Sequence, residues 1–275
     1  MSIYSITRKN GGVIDWSEEQ LKYILTEYKN GSTIAKLSKD FNVDNATIRR
    51  LLKKNNISLR GNKQNFPRDE NFFQDINTAE KAYWLGFLYA DGCVHTNTNT
   101  ISISLKDIEH LEKFRSAIKA KNKIVSSSDN RFQKPTTTHQ FAIKDKKMKQ
   151  DLIRHGCVPQ KTLKINKIPN IPRDYVSHFI RGYFDGDGSL HFLNGTKNFR
   201  ISFLGNKEFL IDVQKELQTN VSISHGTGKA MYFQIAGRKQ VPKILDYIYK
   251  DSTEETRLDR KYKKYLECLE WAHHH

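Results

Sequence analysis

Two stretches of the sequence end in the same Asp-Gly pair after an apolar helical run. Residues 84–92 read W-L-G-F-L-Y-A-D-G, and residues 180–188 read I-R-G-Y-F-D-G-D-G. An earlier glycine in each, Gly86 or Gly182, leaves one helix face without a side chain, so another backbone can pack closely there. Two such helices packed together would bring Asp91 and Asp187 side by side, and the final Gly of each stretch suits a C-terminal turn.

Two adjacent carboxylates repel each other unless a cation lies between them. A hard divalent cation with oxygen ligands, Mg²⁺ by preference, fits such a site. For a single Asp-Gly pair the simpler interpretation is a capped helix whose Asp faces water, but repetition of the whole pattern favours the metal. An EF-hand loop is excluded, because counting from Asp185 its sixth and twelfth positions hold Leu190 and Thr196 instead of Gly and Glu.

The two stretches resemble the LAGLIDADG motifs of homing endonucleases, in the single-chain form that carries two motifs. The resemblance covers roughly residues 75–265 and implies an α+β fold of two pseudo-symmetric αββαββα halves. In that fold two four-stranded sheets form a saddle that straddles the major groove of DNA. The first motif departs from the family pattern at Trp84 and Tyr89, and neither is the metal-binding position.

The resemblance also implies which residues form the catalytic site. The last Asp of each motif binds the catalytic metal, which assigns Asp91 and Asp187, with the preceding Ala90 and Gly186 as further ligands. A basic residue beyond the last helix of each half reaches the water network, and a polar residue ends each second strand. The matching positions are Lys161 and Lys261 for the basic residues and Lys106 and Asn206 for the polar ones. In a chain so rich in lysine, a solvated Lys is the competing interpretation.

Composition indicates a polyanionic partner, with nucleic acid as the first candidate. The 275 residues contain 46 Lys+Arg against 30 Asp+Glu, a net charge of +16. No apolar run approaches the ~20 residues that span a bilayer, so a membrane surface is the weaker interpretation. The three cysteines match neither a disulfide framework nor a zinc pattern, and we expect a protein of the reducing cytoplasm. His273 to His275 resemble the remnant of a purification tag.

Residues 1–56 are predicted to form a helix-turn-helix DNA-binding module. Apolar residues recur at helical spacing in three short pieces, with Ala35 expected where the two later helices cross. A basic tether at 57–74, which contains Arg60, would link the module to the first half. A three-helix bundle with a solvated basic face is the alternative. The residues predicted to contact DNA are Asn45, Thr47, Arg49, Arg50 and Lys53 in the third helix, and Arg60.

Residues 75–167 and 168–272 are predicted to repeat the same order of elements. Beyond the motifs, alternating and helical patterns predict strands at 101–105, 123–127 and 137–144 with helices at 107–119 and 146–155. The second half has strands at 189–193, 199–204, 221–225 and 231–236, and helices at 207–217 and 240–250. Outward strand residues would contact DNA, although each alone could be a generic exposed residue. They are His95, Ser102, Ser104, Gln140, Lys144, Ser189, His191, Arg200, Ser202, Tyr232 and Gln234.

These features predict a monomeric, metal-dependent DNA endonuclease that makes a staggered double-strand break at a long asymmetric site. Its partner would be double-stranded DNA. Two alternatives use the same fold: a regulator that binds DNA without cutting it, and an intron RNA-splicing cofactor that binds intron RNA. A self-splicing intein is disfavoured, because the residues that open and close a splicing block are missing.

Overall fold

The chain divides into two units, Met1–Asn65 and Phe66–His275. A computed structural model describes residues 4–8, 14–57, 59, 66–129, 136–161, 164–195, 198–226, 228 and 230–274. The second unit begins nine residues earlier than the predicted start at 75, because Phe72 and Phe73 are buried in its core. The predicted tether at 57–74 was therefore too long. Arg60 lies outside the described residues.

The first unit contains three described helices: α1 (Glu18–Lys29), α2 (Ile34–Asp40) and α3 (Asn45–Lys54), with a short strand pair of β1 (Thr7–Arg8) and β2 (Ile14–Asp15). Ser17 opens α1 in a capping box with Gln20, and the Asp44 side chain accepts the Thr47 N–H at 2.7 Å to open α3. Ala35 is exposed, so its predicted place at a helix crossing is wrong; Leu37 fills the core from α2 instead. That this unit binds DNA stays a prediction.

The second unit repeats one order of elements, and this confirms the predicted α+β architecture. The first half contains α4 (Ala79–Ala90), β3 (Gly92–Val94), β4 (Thr100–Leu105), α5 (Ile108–Ala117), β5 (Val125–Asp129), β6 (Thr136–Lys144) and α6 (Lys146–Arg154). The second contains α7 (Val176–Asp187), β7 (Ser189–Leu193), β8 (Asn198–Gly205), α8 (Lys207–Glu216), β9 (Ser224–His225), β10 (Met231–Ala236) and α9 (Gln240–Tyr249), followed by α10 (Asp259–His274). The antiparallel sheets have the strand orders β3-β4-β6-β5 and β7-β8-β10-β9.

In the second unit, one described strand and one described α-helix had no counterpart among the predicted residue ranges; β1 and β2 of the first unit were not predicted either. Strand β3 has three residues, too few to show an alternating pattern, and it follows α4 directly. Helix α10 begins after a short 3-10 turn at Glu254–Thr256 and buries Tyr265 and Cys268. Predicted boundaries otherwise differ by a few residues; the strand predicted at 221–225 is reduced to Ser224–His225. None of the helices in the described part of the chain is long and apolar enough to cross a bilayer.

Helices α4 and α7 pack against each other at their glycines, as predicted. A Cβ atom added to Gly86 would lie 2.0 Å from the Phe179 carbonyl oxygen, and one added to Gly182 would lie 2.0 Å from the Tyr83 carbonyl oxygen. Only glycine allows the two backbones to come this close. Buried residues of both halves form one hydrophobic cluster around this helix pair. The two helices therefore end side by side.

Candidate active site

The side-by-side ends of α4 and α7 carry the two motif aspartates. Asp91 caps α4 and Asp187 is the last residue of α7. The aspartates end their helices as predicted, but neither final glycine has a left-handed backbone: Gly188 has φ −77°, and Gly92 is not among the described residues with positive φ. Lack of space for a side chain accounts for the glycines instead. A Cβ at Gly92 would lie 2.6 Å from the Leu88 carbonyl oxygen. A side chain at Gly92 would therefore collide with the last turn of α4.

The two carboxylates lie close enough to influence each other. Burial raises the pKa of Asp91, and the negative charge of Asp187 raises it further. Asp187 is an exposed residue, yet partial removal of its carboxylate from water also raises its pKa. The positive charges of Lys161 and Lys261 oppose this rise. Neither carboxylate accepts a hydrogen bond from a residue that the structure describes. Two acidic groups that accept no described hydrogen bond therefore lie near each other at the helix ends.

Lys161 lies against the C-terminal end of α4. Its Nζ donates to the carbonyl oxygens of Leu88 at 2.8 Å and Gly92 at 2.5 Å, and also to that of Ala90. These three bonds equal the number of N–H donors on an ammonium group. Burial lowers the pKa of Lys161. The residue predicted to be catalytic thus also caps the carbonyl groups at the end of α4, including that of the predicted ligand Ala90.

Lys261 occupies the equivalent place at the end of α7. Its Nζ donates to the carbonyl oxygens of Phe184 and Gly188, each at 2.5 Å. Only 4% of the residue is exposed, and burial lowers its pKa to about 8. The two predicted lysines therefore both lie beside the aspartate pair, one against each helix end. Their assignment as catalytic residues stays a prediction.

A buried carboxylate in the second motif was not assigned a role from sequence. Asp185 is fully buried and accepts hydrogen bonds from the Tyr83 hydroxyl at 2.8 Å, the Tyr249 hydroxyl at 2.5 Å and the Leu258 N–H at 2.8 Å. Burial raises its pKa, and the charge of nearby Lys261 is the largest influence that lowers it. The first motif has Tyr89 at this position. This difference between the two motifs was the sequence signal that could have drawn attention to Asp185.

The predicted strand residues of each sheet share one face, as the register shows. In the first sheet Ser104 lies opposite Gln140, and the same face carries Ser102. In the second sheet Ser202 lies between Ser189 and Gln234, with the remaining predicted residues on that face. The opposite faces carry the buried apolar residues. Each sheet therefore covers the core with one face and presents a polar face on the other.

Most of these predicted DNA contacts are accessible, but two are not. Ser102 and Ser202 are almost fully buried, with hydroxyls bonded to His95 at 3.0 Å and Ser189 at 2.5 Å, so the structure contradicts them as direct DNA contacts. Short side chains at the centre of a face are covered by their longer neighbours. Exposed are His95, Ser104, Lys106, Gln140, Lys144, His191 and Gln234, and partly exposed are Ser189, Arg200, Asn206 and Tyr232.

In the first unit the predicted α3 residues are also mostly exposed. Asn45, Arg49, Arg50 and Lys53 are open to solvent. Thr47 is only partly exposed, and its hydroxyl donates to the Asp44 carboxylate at 3.1 Å. This residue is therefore used by the helix cap as well as being a candidate for contact with DNA.

A cavity of about 270 Å³ opens beside the aspartate pair. Lys161 and Asp187 line it together with Tyr183 and Asn206. Asn206 also caps α8, because its side chain accepts the Phe209 N–H at 3.3 Å. The predicted Asn206 thus reaches the site from the end of β8.

The chemistry of the donor set fits Mg²⁺ bound together with a substrate. Among the described residues, no group of three or more His, Cys, Asp or Glu side chains could hold a metal ion alone. Mg²⁺ is commonly bound by one or two carboxylates, with water and substrate phosphate as the other ligands. Asp91 and Asp187 supply the carboxylates, and burial raises the pKa of both. The Ala90 carbonyl, by contrast, is already bonded to Lys161.

No family model and no curated protein matches the chain. Its structure is similar to that of the LAGLIDADG homing endonuclease I-SmaMI bound to cleaved DNA, with 12% identity, a TM-score of 0.47, and coverage of 72% of this chain and 89% of that one. For I-SmaMI bound to an uncleaved DNA target in the presence of calcium ions, the identity is 13% and the TM-score 0.47, with coverage of 70% of this chain and 90% of that one. For the LAGLIDADG meganuclease I-AabMI bound to uncleaved DNA, the identity is 13% and the TM-score 0.45, with coverage of 69% of this chain and 89% of that one. By its own element order, sheet topology and glycine-packed helices, this chain has two similar αββαββα halves, the architecture that the sequence resemblance implied.

Proposed function

We propose that this protein is a site-specific DNA endonuclease that makes a staggered double-strand break, each half cutting one strand. The observation that carries the proposal is the meeting of Asp91 and Asp187 at the ends of α4 and α7, with unused carboxylate oxygens and a lysine against each helix end. The polar faces of the two sheets and the net charge of +16 favour a DNA duplex as the substrate. Because the halves differ in sequence, the target would be asymmetric.

In this proposal Asp91 and Asp187 hold divalent cations, Mg²⁺ by preference. Such cations would supply positive charge at the scissile phosphate and activate the attacking water. Lys161 and Lys261 add positive charge beside the same cleft, where it stabilises the additional negative charge of the transition state. Lys106 and Asn206, at the ends of the second strands, would orient the phosphate and its water.

Exposed residues on the two sheet faces would provide sequence recognition. Side chains such as Gln140, Arg200 and Gln234 carry the donors and acceptors that read base edges in the major groove. His95 and His191 lie on the same faces and would contact bases or phosphates. The recognition surface is therefore distributed over both halves, which suits a long target.

The test is cleavage by Asp91→Asn and Asp187→Asn variants. Target sites are first selected from a random DNA library with the wild-type protein and Mg²⁺. We expect each variant to lose double-strand cleavage by at least 1000-fold, the scale of ~4 kcal/mol in a barrier, while its affinity for the selected DNA changes less than about threefold. Asp212→Asn, at a partly exposed acid on α8, is the matched control and should cut normally.

The outcomes separate the proposal from its alternatives. Cleavage at the wild-type rate by either motif variant would remove the metal assignment. Tight DNA binding without cleavage by the wild-type protein would favour the non-cleaving regulator. Preference for structured intron RNA over the matching intronless DNA in filter binding would favour the splicing cofactor.

A further inference from the structure

We propose that Asp185 is a positioning residue for Lys261, so that cutting of one strand depends on Asp185 while cutting of the other does not. The geometric part stands on its own, and its consequence for the two strands rests on the proposed function. Asp185 does not reach the cleft. It acts through the backbone that carries Lys261.

The contacts of Asp185 join three separate elements. Its carboxylate accepts the hydroxyl of Tyr83 from α4, the hydroxyl of Tyr249 from α9 and the N–H of Leu258, the residue before α10. The group is fully buried, and leaving any of these buried donors unpaired costs about 1–3 kcal/mol. Asp185 therefore fixes the start of α10 against α7.

Fixing Leu258 fixes Lys261. The Lys261 N–H donates to the Leu258 carbonyl at 2.9 Å in the first turn of α10. From this turn the side chain reaches back to the carbonyl oxygens of Phe184 and Gly188, on either side of Asp185 along the chain. A shift of the turn would move the ammonium group away from the end of α7.

Other contacts hold the same turn, but they are weaker anchors. Asp259 pairs with Lys113 at 2.8 Å and Arg260 pairs with Asp107 at 3.0 Å, both across the two halves. At least one partner in each pair is well exposed, and such ion pairs contribute about 0–1 kcal/mol. The buried carboxylate is a stronger constraint than either ion pair, and the buried Arg181 holds Thr256, which precedes the turn.

The first half lacks this anchor. At the position equivalent to Asp185 stands Tyr89, whose hydroxyl donates to the His155 carbonyl. Lys161 lies in a short turn after α6 and is held by carbonyl groups of α4 and the residue that follows Asp91. Substitution of Asp185 should therefore disturb Lys261 and leave Lys161 in place.

Hydrogen exchange tests the geometric part without any DNA. Asp185→Asn keeps the shape of the side chain and removes its charge. We expect protection of the amides at 258–262 to fall at least tenfold, while protection at 150–161 changes less than twofold. Tyr89→Phe at the equivalent position is the control and should leave 258–262 unchanged. Equal loss in both segments, or loss in neither, would overturn the proposal.

Tyr249→Phe supplies the same comparison if Asp185→Asn does not fold. It removes one of the three donors from Asp185, so the loss of protection should be confined to the same segment but smaller. Loss spread over the whole of Phe66–His275 would mean that the network only adds stability, and that result would also count against the proposal.

Strand-resolved cleavage tests the functional part. With each strand of a selected target labelled at its end, Asp185→Asn should slow cleavage of one strand about tenfold and leave the other within twofold, so nicked DNA accumulates. An equal fall on both strands would contradict the proposal. If the wild-type protein cuts no DNA, the proposed function fails, and hydrogen exchange alone decides whether Asp185 positions Lys261.

Discussion

Asp91 and Asp187 are held together by helix packing although their charges repel. Burial and mutual repulsion raise the pKa of Asp91, so ionisation of the pair lowers stability at neutral pH. We therefore expect Asp91→Asn to raise the free energy of unfolding at pH 7.5 in the presence of a chelator. Addition of Mg²⁺ should stabilise the wild-type protein and have much less effect on the variant. Urea denaturation with and without Mg²⁺ measures both effects; equal stabilisation by Mg²⁺ would contradict metal binding at this pair.

His110 gives a pH dependence that does not involve the cleft. It is 2% exposed, its Nε2 lies 3.1 Å from the Tyr83 hydroxyl, and burial lowers its pKa to about 3. An unfolded chain binds this proton near pH 6.5. The stability that His110 contributes is therefore complete above pH 6.5 and is lost as the pH falls from 6.5 towards 3.

We expect the wild-type protein to lose about 2 kcal/mol between pH 7.5 and pH 5 through this one group. His110→Gln should remove that part of the pH dependence even if it lowers stability overall. The measurement is the free energy of unfolding in urea at both pH values. His191→Gln, at an exposed histidine, should keep the wild-type dependence, and an unchanged dependence in His110→Gln would refute the assignment.

At the scale of elements, the glycines of α4 and α7 decide whether the site forms. A Cβ at Gly86 or Gly182 would overlap a carbonyl oxygen of the facing helix at 2.0 Å. We expect Gly86→Ala and Gly182→Ala each to lower the free energy of unfolding by about 3 kcal/mol, at the upper end for overpacking. Gly195→Ala, where a Cβ would meet nothing within 4 Å, is the control. A loss below 0.5 kcal/mol in either helix variant would contradict this packing.

The same elements show what the sequence could predict and what it could not. Gly86, Asp91 and their repeats lie in local patterns long enough to predict helices, their packing and the aspartate pair. Strand β3 is too short to leave a pattern. The anchor at the start of α10 was missed, because the bond between Asp185 and Leu258 joins residues 73 positions apart. Burial of Ser102 was also hidden, since alternation predicts a face but not the size of its neighbours.

At the scale of the whole molecule, the first unit adds positive charge to a chain of net charge +16. Arg49, Arg50 and Lys53 are exposed on α3, the helix predicted to contact DNA. Under the proposed function, a first unit that binds DNA should raise affinity without moving the cut. If the first unit contributed only positive charge, the loss of affinity would depend on how many charges are removed and not on which residues carry them.

A charge-matched comparison separates these two accounts. Replacing Arg49, Arg50 and Lys53 together by Gln should reduce the slope of log affinity against log salt by about 3, roughly one per lost phosphate contact. Replacing Lys22, Lys29 and Lys36 by Gln removes the same charge from α1 and α2 and should reduce the slope by less than 1. Both variants should cut at the wild-type position in the selected DNA. If the two triple variants reduce the slope equally, α3 acts only through its charge. If the α3 variant cuts at another position or does not cut, α3 takes part in target selection itself.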